Sequence, residues 1–114
     1  MDVAFSHNIR DHILIITLQE AKLDAMNASD FKNKILELIH NMQIFKIILD
    51  LSHVQFIDSS GLGAFLTIQR ALHKQGGALK LVQLNKHIQT IFEIVSMHRI
   101  LDVFPGIEEA VKTF

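Results

Sequence analysis

The fold is decided by residues 49–63, which read Leu49-Asp50-Leu51-Ser52-His53-Val54-Gln55-Phe56-Ile57-Asp58-Ser59-Ser60-Gly61-Leu62-Gly63. This stretch begins inside the apolar run Ile44–Leu51, which only Lys46 and Asp50 interrupt and which is typical of a buried strand. Its glycines allow a turn, and the inward-facing residues of the next segment predict a helix from about Ser60 to His73. These residues are Leu62, Phe65, Leu66 and Leu72. The stretch is therefore predicted to be a strand, a turn and the start of a helix.

The same alternation of strands and helices extends over the rest of the chain. Further strands are predicted at Val3–Phe5, Ile13–Leu18, Leu79–Val82 and Leu101–Phe104. Asn27 and Asn85 can each cap a helix, with Asp30 in the first turn of the earlier one. Helical apolar faces are predicted from Phe31, Ile35, Leu38, Ile39 and Met42, from Ile88, Ile91, Phe92 and Val95, and from Ile107, Ala110, Val111 and Phe114.

Strands that alternate with helices favour crossover units and a parallel sheet, while the two opening strands are close enough to pair as a hairpin. We therefore expect one α/β domain over residues 1–114, with a mixed, mostly parallel β-sheet of about five strands flanked by about four α-helices.

Composition excludes several classes of protein. The chain has 114 residues, 49% of them hydrophobic, which suits one domain with its own core. It has no cysteine, so disulfides and thiolate metal sites are excluded. A net charge of −1 gives no electrostatic footprint for nucleic acid. No apolar run is long enough to span a bilayer and no signal peptide is visible, so we expect a cytoplasmic protein without direct membrane insertion.

The motifs of common enzymes are missing. The seven histidines are scattered and form no His-Glu-x-x-His pattern, so no metal site is expected. The Gly61-x-Gly63 pattern has Leu66 where a dinucleotide loop needs its third glycine. Neither Ser59 nor Ser60 lies in a Gly-x-Ser-x-Gly elbow. We therefore expect no catalytic activity and no cofactor.

The Asp58-Ser59-Ser60-Gly61 turn allows two interpretations. Asp58 or Ser59 can simply be the N-cap of the helix, with the glycines allowing the turn. Alternatively, Ser59 faces solvent at the helix start and accepts a phosphate of about −1.5 to −2 charges, which the positive end of the helix tolerates. A phosphate there would disturb docking rather than folding.

Residues 49–63 resemble the central motif of STAS domains, and in particular that of bacterial anti-sigma factor antagonists. Weaker matches are Leu23-Asp24 after the second strand, Gly76-Gly77 before a later strand, and Ile91-Phe92 in the helix after that. The resemblance extends over essentially the whole chain. It implies a mixed sheet flanked by helices.

The resemblance also implies a function, in which the serine after the motif's aspartate, here Ser59, is phosphorylated. It implies that the unphosphorylated protein binds an anti-sigma factor, a serine kinase of histidine-kinase-like fold, and that a PPM-type serine phosphatase reverses the modification. ATP and Mg²⁺ then belong to the partner. The implied partner-binding residues are Asp24, Asp58, Ser59, Ser60, Gly61 and Leu62, although Asp24 is equally interpretable as a turn residue. The alternative is a constitutive STAS scaffold or regulatory subunit, of the stressosome type or partnered with a lipid-transport ATPase.

Overall fold

A β-hairpin opens the chain in the computed structural model, which describes residues 2–114. Strand β1 (Phe5–Arg10) pairs antiparallel with β2 (Ile13–Leu18) across a tight turn in which Asp11 and His12 both have positive φ. The hairpin and the bounds of β2 are confirmed, whereas a first strand at Val3–Phe5 was wrong. Polar residues fill most of β1 because it is an edge strand, exposed along most of its length.

The main sheet has five strands in the order β1-β2-β4-β6-β7. Strands β4 (Lys46–Asp50), β6 (Ala78–Val82) and β7 (Asp102–Phe104) continue it from β2, and every one of these pairings is parallel. The predicted mixed, mostly parallel sheet is therefore confirmed, with strand ends displaced by one or two residues.

A second, two-stranded sheet was not predicted. It pairs β3 (Lys22–Leu23) with β5 (Phe56–Ile57) in parallel, with Leu23 opposite Ile57. Both segments were interpreted as connections, because two residues are too few to show a periodic pattern.

The four predicted helices are present: α1 (Ala28–Met42), α2 (Ser59–His73), α3 (Lys86–Ile94) and α4 (Ile107–Lys112), with a 3-10 turn at Met97–Arg99. Asn85 caps α3 as expected, since its Oδ1 accepts a hydrogen bond from the Ile88 amide at 2.8 Å. The cap predicted at Asn27 was wrong in its chemistry. Asn27 occupies the N-cap position of α1, but its side chain bonds the preceding loop instead.

The core lies on both faces of the main sheet. Helices α1, α2 and α3 cover one face. On this face the rings of Phe31 and Phe65 pack edge to face, with their centroids 6.2 Å apart. Helix α4 alone covers the other, over Ile48 and Val82. Val95, predicted to face inward, is 50% exposed because α3 ends one residue before it.

Candidate functional site

The small sheet positions the Asp58-Ser59-Ser60-Gly61 turn. Strand β5 leads directly into α2, and its partner β3 leads into the loop 24–27 at the start of α1. The Asp58 amide donates to the Leu23 carbonyl at 3.3 Å, which extends the pairing by one bond. The start of α2 and the loop 24–27 are thereby held side by side.

Asp58, rather than Ser59, caps the helix. Its Oδ1 accepts hydrogen bonds from the amides of Ser60 at 2.8 Å and Gly61 at 3.2 Å. Its carbonyl accepts the first helical bond, from the Leu62 amide at 3.1 Å. Three amides of the first turn are therefore already bonded to one residue, which stabilises the helix start.

The other carboxylate oxygen of Asp58 reaches across to the neighbouring loop. Oδ2 accepts a hydrogen bond from the Ala25 amide at 3.1 Å. A single side chain therefore ties α2 to the loop 24–27, a connection that the sequence did not reveal.

Gly61 is required by close packing. A Cβ at this position would lie 2.7 Å from the Leu23 carbonyl oxygen and 2.8 Å from Cγ2 of Ile57, closer than real contacts allow. The missing side chain therefore lets α2 approach β3 and β5.

Ser59 is exposed as the first residue of α2, and the next residue, Ser60, is exposed as well. Leu62 is half buried and packs against the core, so only part of its side chain faces outward. The structure brings the candidate residues 58–62 together on the first turn and its cap, with Ser59 the more peripheral of the two hydroxyls relative to the α1–α2 contact.

Asp24 shapes the adjacent loop. Its Oδ1 accepts a hydrogen bond from the Met26 amide at 3.0 Å, and its carbonyl accepts bonds from the amides of Asn27 and Ala28. The turn interpretation of Asp24 is confirmed. A role in binding a partner stays a prediction.

Two apolar side chains beside the turn were missed by the sequence analysis. Met26 is 74% exposed in the loop that Asp58 tethers, and Phe56 is 42% exposed in β5. The alternation along a strand gives a signal for Phe56, since the buried Ile57 turns Phe56 and Asp58 to the opposite side. No comparable pattern marks Met26. We call Asp24, Met26, Phe56, Asp58 and Ser59 the switch surface.

Among residues 2–114, no group of three or more His, Asp or Glu side chains is placed to hold a metal ion. Within the same residues, no helix is both long enough and apolar enough to cross a bilayer.

Comparison with known families decides the classification. A family model described as STAS domain matches residues 4–110. The chain belongs to the STAS domain family. The STAS protein is also 30% identical over 91 residues to the anti-sigma-B factor antagonist of Bacillus subtilis. The aligned region covers 80% of this chain and 82% of that relative. The predicted membership is confirmed, and these relatives are regulatory proteins.

Solved structures agree with the fold of the STAS protein. The crystal structure of the protein TM1081 from Thermotoga maritima superposes with a TM-score of 0.86 at 31% identity, covering 96% of this chain and 92% of that one. The Bacillus anti-sigma factor antagonist SpoIIAA, solved in unphosphorylated and phosphorylated forms, gives TM-scores of 0.72 and 0.70 at 22% and 23% identity. The comparison with the unphosphorylated form covers 96% of each chain. The comparison with the phosphorylated form covers 96% of this chain and 98% of SpoIIAA. At that identity SpoIIAA supports the fold alone.

Proposed function

We propose that this STAS protein is an anti-sigma factor antagonist in a partner-switching pathway, and that phosphorylation of Ser59 controls its docking to the anti-sigma factor. The observation that carries the proposal is the position of Ser59. It is exposed on the first turn of α2, next to the Asp58 cap, and the exposed apolar side chains Met26 and Phe56 belong to the adjoining loop and strand.

The switch surface combines features of a protein-docking site. Exposed aromatic and methionine side chains supply contact area, and the flanking carboxylates of Asp24 and Asp58 give it a directional charge. Ser60, Gly61 and Leu62 form the turn that presents these groups. No step of catalysis is assigned to this chain, and it needs no cofactor of its own.

Phosphorylation would act on docking through charge and bulk. The γ-phosphoryl group of ATP is transferred to Oγ of Ser59, the hydroxyl proton leaves, and ADP is released. The new group adds about −1.5 to −2 charges to a surface that already carries Asp58. A partner that binds the unmodified surface would have to desolvate both the phosphate and the Asp58 carboxylate after the modification, which weakens binding.

The proposed partners follow the family resemblance. The kinase is an anti-sigma factor of histidine-kinase-like fold, which supplies ATP and Mg²⁺, and a PPM-type phosphatase removes the phosphate in the same cytoplasmic compartment. SpoIIAA, which shares the fold, has been solved in a phosphorylated form. A protein of this fold can therefore carry a phosphate.

The test compares two neighbouring serines. The wild-type protein, Ser59→Ala and Ser60→Ala are incubated with ATP and an anti-sigma factor serine kinase of histidine-kinase-like fold, and intact masses are measured. We expect one phosphate on the wild type and on Ser60→Ala, and none on Ser59→Ala. Labelling that persists in Ser59→Ala would refute the assignment.

A second measurement tests the switch itself. Ser59→Asp should keep its melting temperature within a few degrees while its affinity for the kinase, measured by calorimetry, falls at least about tenfold. Undiminished binding by a folded Ser59→Asp would instead favour the constitutive STAS subunit.

A further inference from the structure

An open groove with a mixed polar and apolar lining runs between α1 and α2 beside the switch surface. It encloses about 370 Å³, and the buried residues Ala28 and Ala64 lie among its lining. Ser60 belongs to its lining at one end of α2, and Arg70 lies near the other end. The two residues are ten positions apart in α2, which corresponds to about 15 Å along the helix axis. An extended peptide of about four or five residues has the same length.

Packing within the described residues does not explain why position 63 lacks a side chain. Gly63 is exposed in the interior of α2, and a Cβ there would meet nothing within 4 Å. Its φ is not positive, so the backbone conformation needs no glycine either. Glycine weakens a helix relative to alanine, so the bare backbone is unfavourable for folding alone. A molecule that approaches this surface closely supplies the missing reason.

Two cationic side chains and no carboxylate line the groove. Lys32 from α1 and Arg70 from α2 line it, and neither forms an ion pair within 4.0 Å in the part of the chain that the structure describes. No aspartate or glutamate occurs anywhere in Ser59–His73, although the whole chain has a net charge of −1. The electrostatic complement of this groove is an acidic ligand.

We propose that the groove between α1 and α2 receives an acidic peptide segment of the protein partner that docks at Ser59, with Lys32 and Arg70 binding its carboxylates. This inference rests on the proposed function, since it assigns part of the same partner. A nucleotide fits the groove less well, because none of the side chains that line it is aromatic and able to stack a base. The length of the groove and its two separated cations suit a chain of carboxylates.

The first test uses a pentaglutamate peptide and ¹⁵N-labelled protein followed by NMR. We expect saturable shifts of the amides around Gly63 and Thr67, and none with pentalysine. Lys32→Glu combined with Arg70→Glu should weaken binding about tenfold. The control, Lys86→Glu with Arg99→Glu, makes the same change in charge at exposed positions elsewhere and should bind like the wild type.

Three results would overturn the groove proposal. One is the absence of saturable shifts at millimolar peptide, and another is an equal loss of binding in the control variant. The third is stronger binding of inorganic phosphate or ATP at the same amides, which would make the groove an anion site.

A steric variant tests the groove without changing charge. Gly63→Gln adds a long side chain where nothing obstructs it, so the melting temperature should not fall. The affinity for pentaglutamate and for the kinase that phosphorylates Ser59 should fall about tenfold. Unchanged affinity in this variant contradicts the proposal.

The two proposals fail in different ways. If the Lys32→Glu and Arg70→Glu variant binds the kinase as tightly as the wild type, the groove proposal fails while the phosphorylation switch stands. If no kinase modifies Ser59, the switch fails, and the peptide titration still decides whether the groove binds acidic chains.

Discussion

Replacing Gly61 and Gly63 singly by alanine should change stability in opposite directions. The two positions lie two residues apart in α2, so the same methyl group is added to the same helix. At Gly63 the new Cβ meets nothing within 4 Å, whereas at Gly61 it would lie 2.7 Å from the Leu23 carbonyl oxygen and 2.8 Å from Cγ2 of Ile57. The pair therefore separates helix propensity from packing.

The expected magnitudes follow from these contacts. Gly63→Ala should stabilise the protein by about 0.5–1 kcal/mol, because alanine is the better helix former and loses less backbone entropy. In Gly61→Ala the higher helix propensity of alanine adds no more stability than it does in Gly63→Ala. Displacing the backbone of Leu23 costs about 1–3 kcal/mol. The net destabilisation is about 1–2 kcal/mol. The two variants should therefore differ by about 1.5–3 kcal/mol.

Urea unfolding followed by circular dichroism measures this difference in the free energy of unfolding. Thermal unfolding should separate the two melting temperatures by about 6–12 °C, at roughly 4 °C per kcal/mol for a chain of this size. Equal stability of Gly61→Ala and Gly63→Ala would show that α2 does not approach β3 as closely as described. A less stable Gly63→Ala would show instead that Gly63 is structurally required, which would remove one support of the groove proposal.

Three further predictions concern single side chains. Asp58→Ala should lower the free energy of unfolding by about 2 kcal/mol in urea titrations, because the cap and the loop tether are lost together, and a loss below about 0.5 kcal/mol would contradict this. The Val3 amide, which donates to Asp30 at 2.7 Å, lowers the pKa of that carboxyl, so Asp30→Asn should be less stable than the wild type at pH 7. A lowered pKa contributes its full stability above the unfolded value of about 4, and this stability is lost as the pH falls through the folded value, so the difference should shrink in urea midpoints at about pH 3; a constant difference would refute it. Burial lowers the pKa of Lys80, whose Nζ bonds Thr113 and lies 4.1 Å from the ring centre of Phe114. Thermal melts should therefore show a stability of Lys80→Met within about 1 kcal/mol of the wild type, because methionine keeps most of the buried volume. The stability of Lys80→Ala should be lower by about 2 kcal/mol.

The sequence predicts the large elements of this fold and misses the small ones. Ile13–Leu18 is a continuous apolar run, and its pattern is sufficient to place a buried strand. The pairing of Lys22–Leu23 with Phe56–Ile57 depends on residues more than 30 positions apart, so no local pattern reveals it. The side chain of Asn27 shows the same limit, since an asparagine that can cap a helix can equally bond the loop before it.

The sequence likewise predicted only some features of the candidate site. Spacing placed a polar cap and a serine at a helix start, and the resemblance to a family selected Ser59 as the modified residue. Neither indicated that Asp58 also holds the Ala25 amide, because that bond exists only once two distant loops are adjacent. The exposed Met26 likewise follows from the loop conformation rather than from any periodicity.

The bonds of Asp58 also refine how a phosphate on Ser59 would act. The sequence suggests that the free amides of the helix start accommodate the phosphate. In the structure, the amides of Ser60 and Gly61 are already bonded to the Asp58 carboxylate. A phosphate on Ser59 could reach these amides only by displacing the Asp58 carboxylate, and two anions at such close range repel each other. If Ser59 is phosphorylated as proposed, we therefore expect the phosphate to point to solvent and the bond between Asp58 and the Ala25 amide to stay in place, so that the modification would change the switch surface without loosening the loop beneath it.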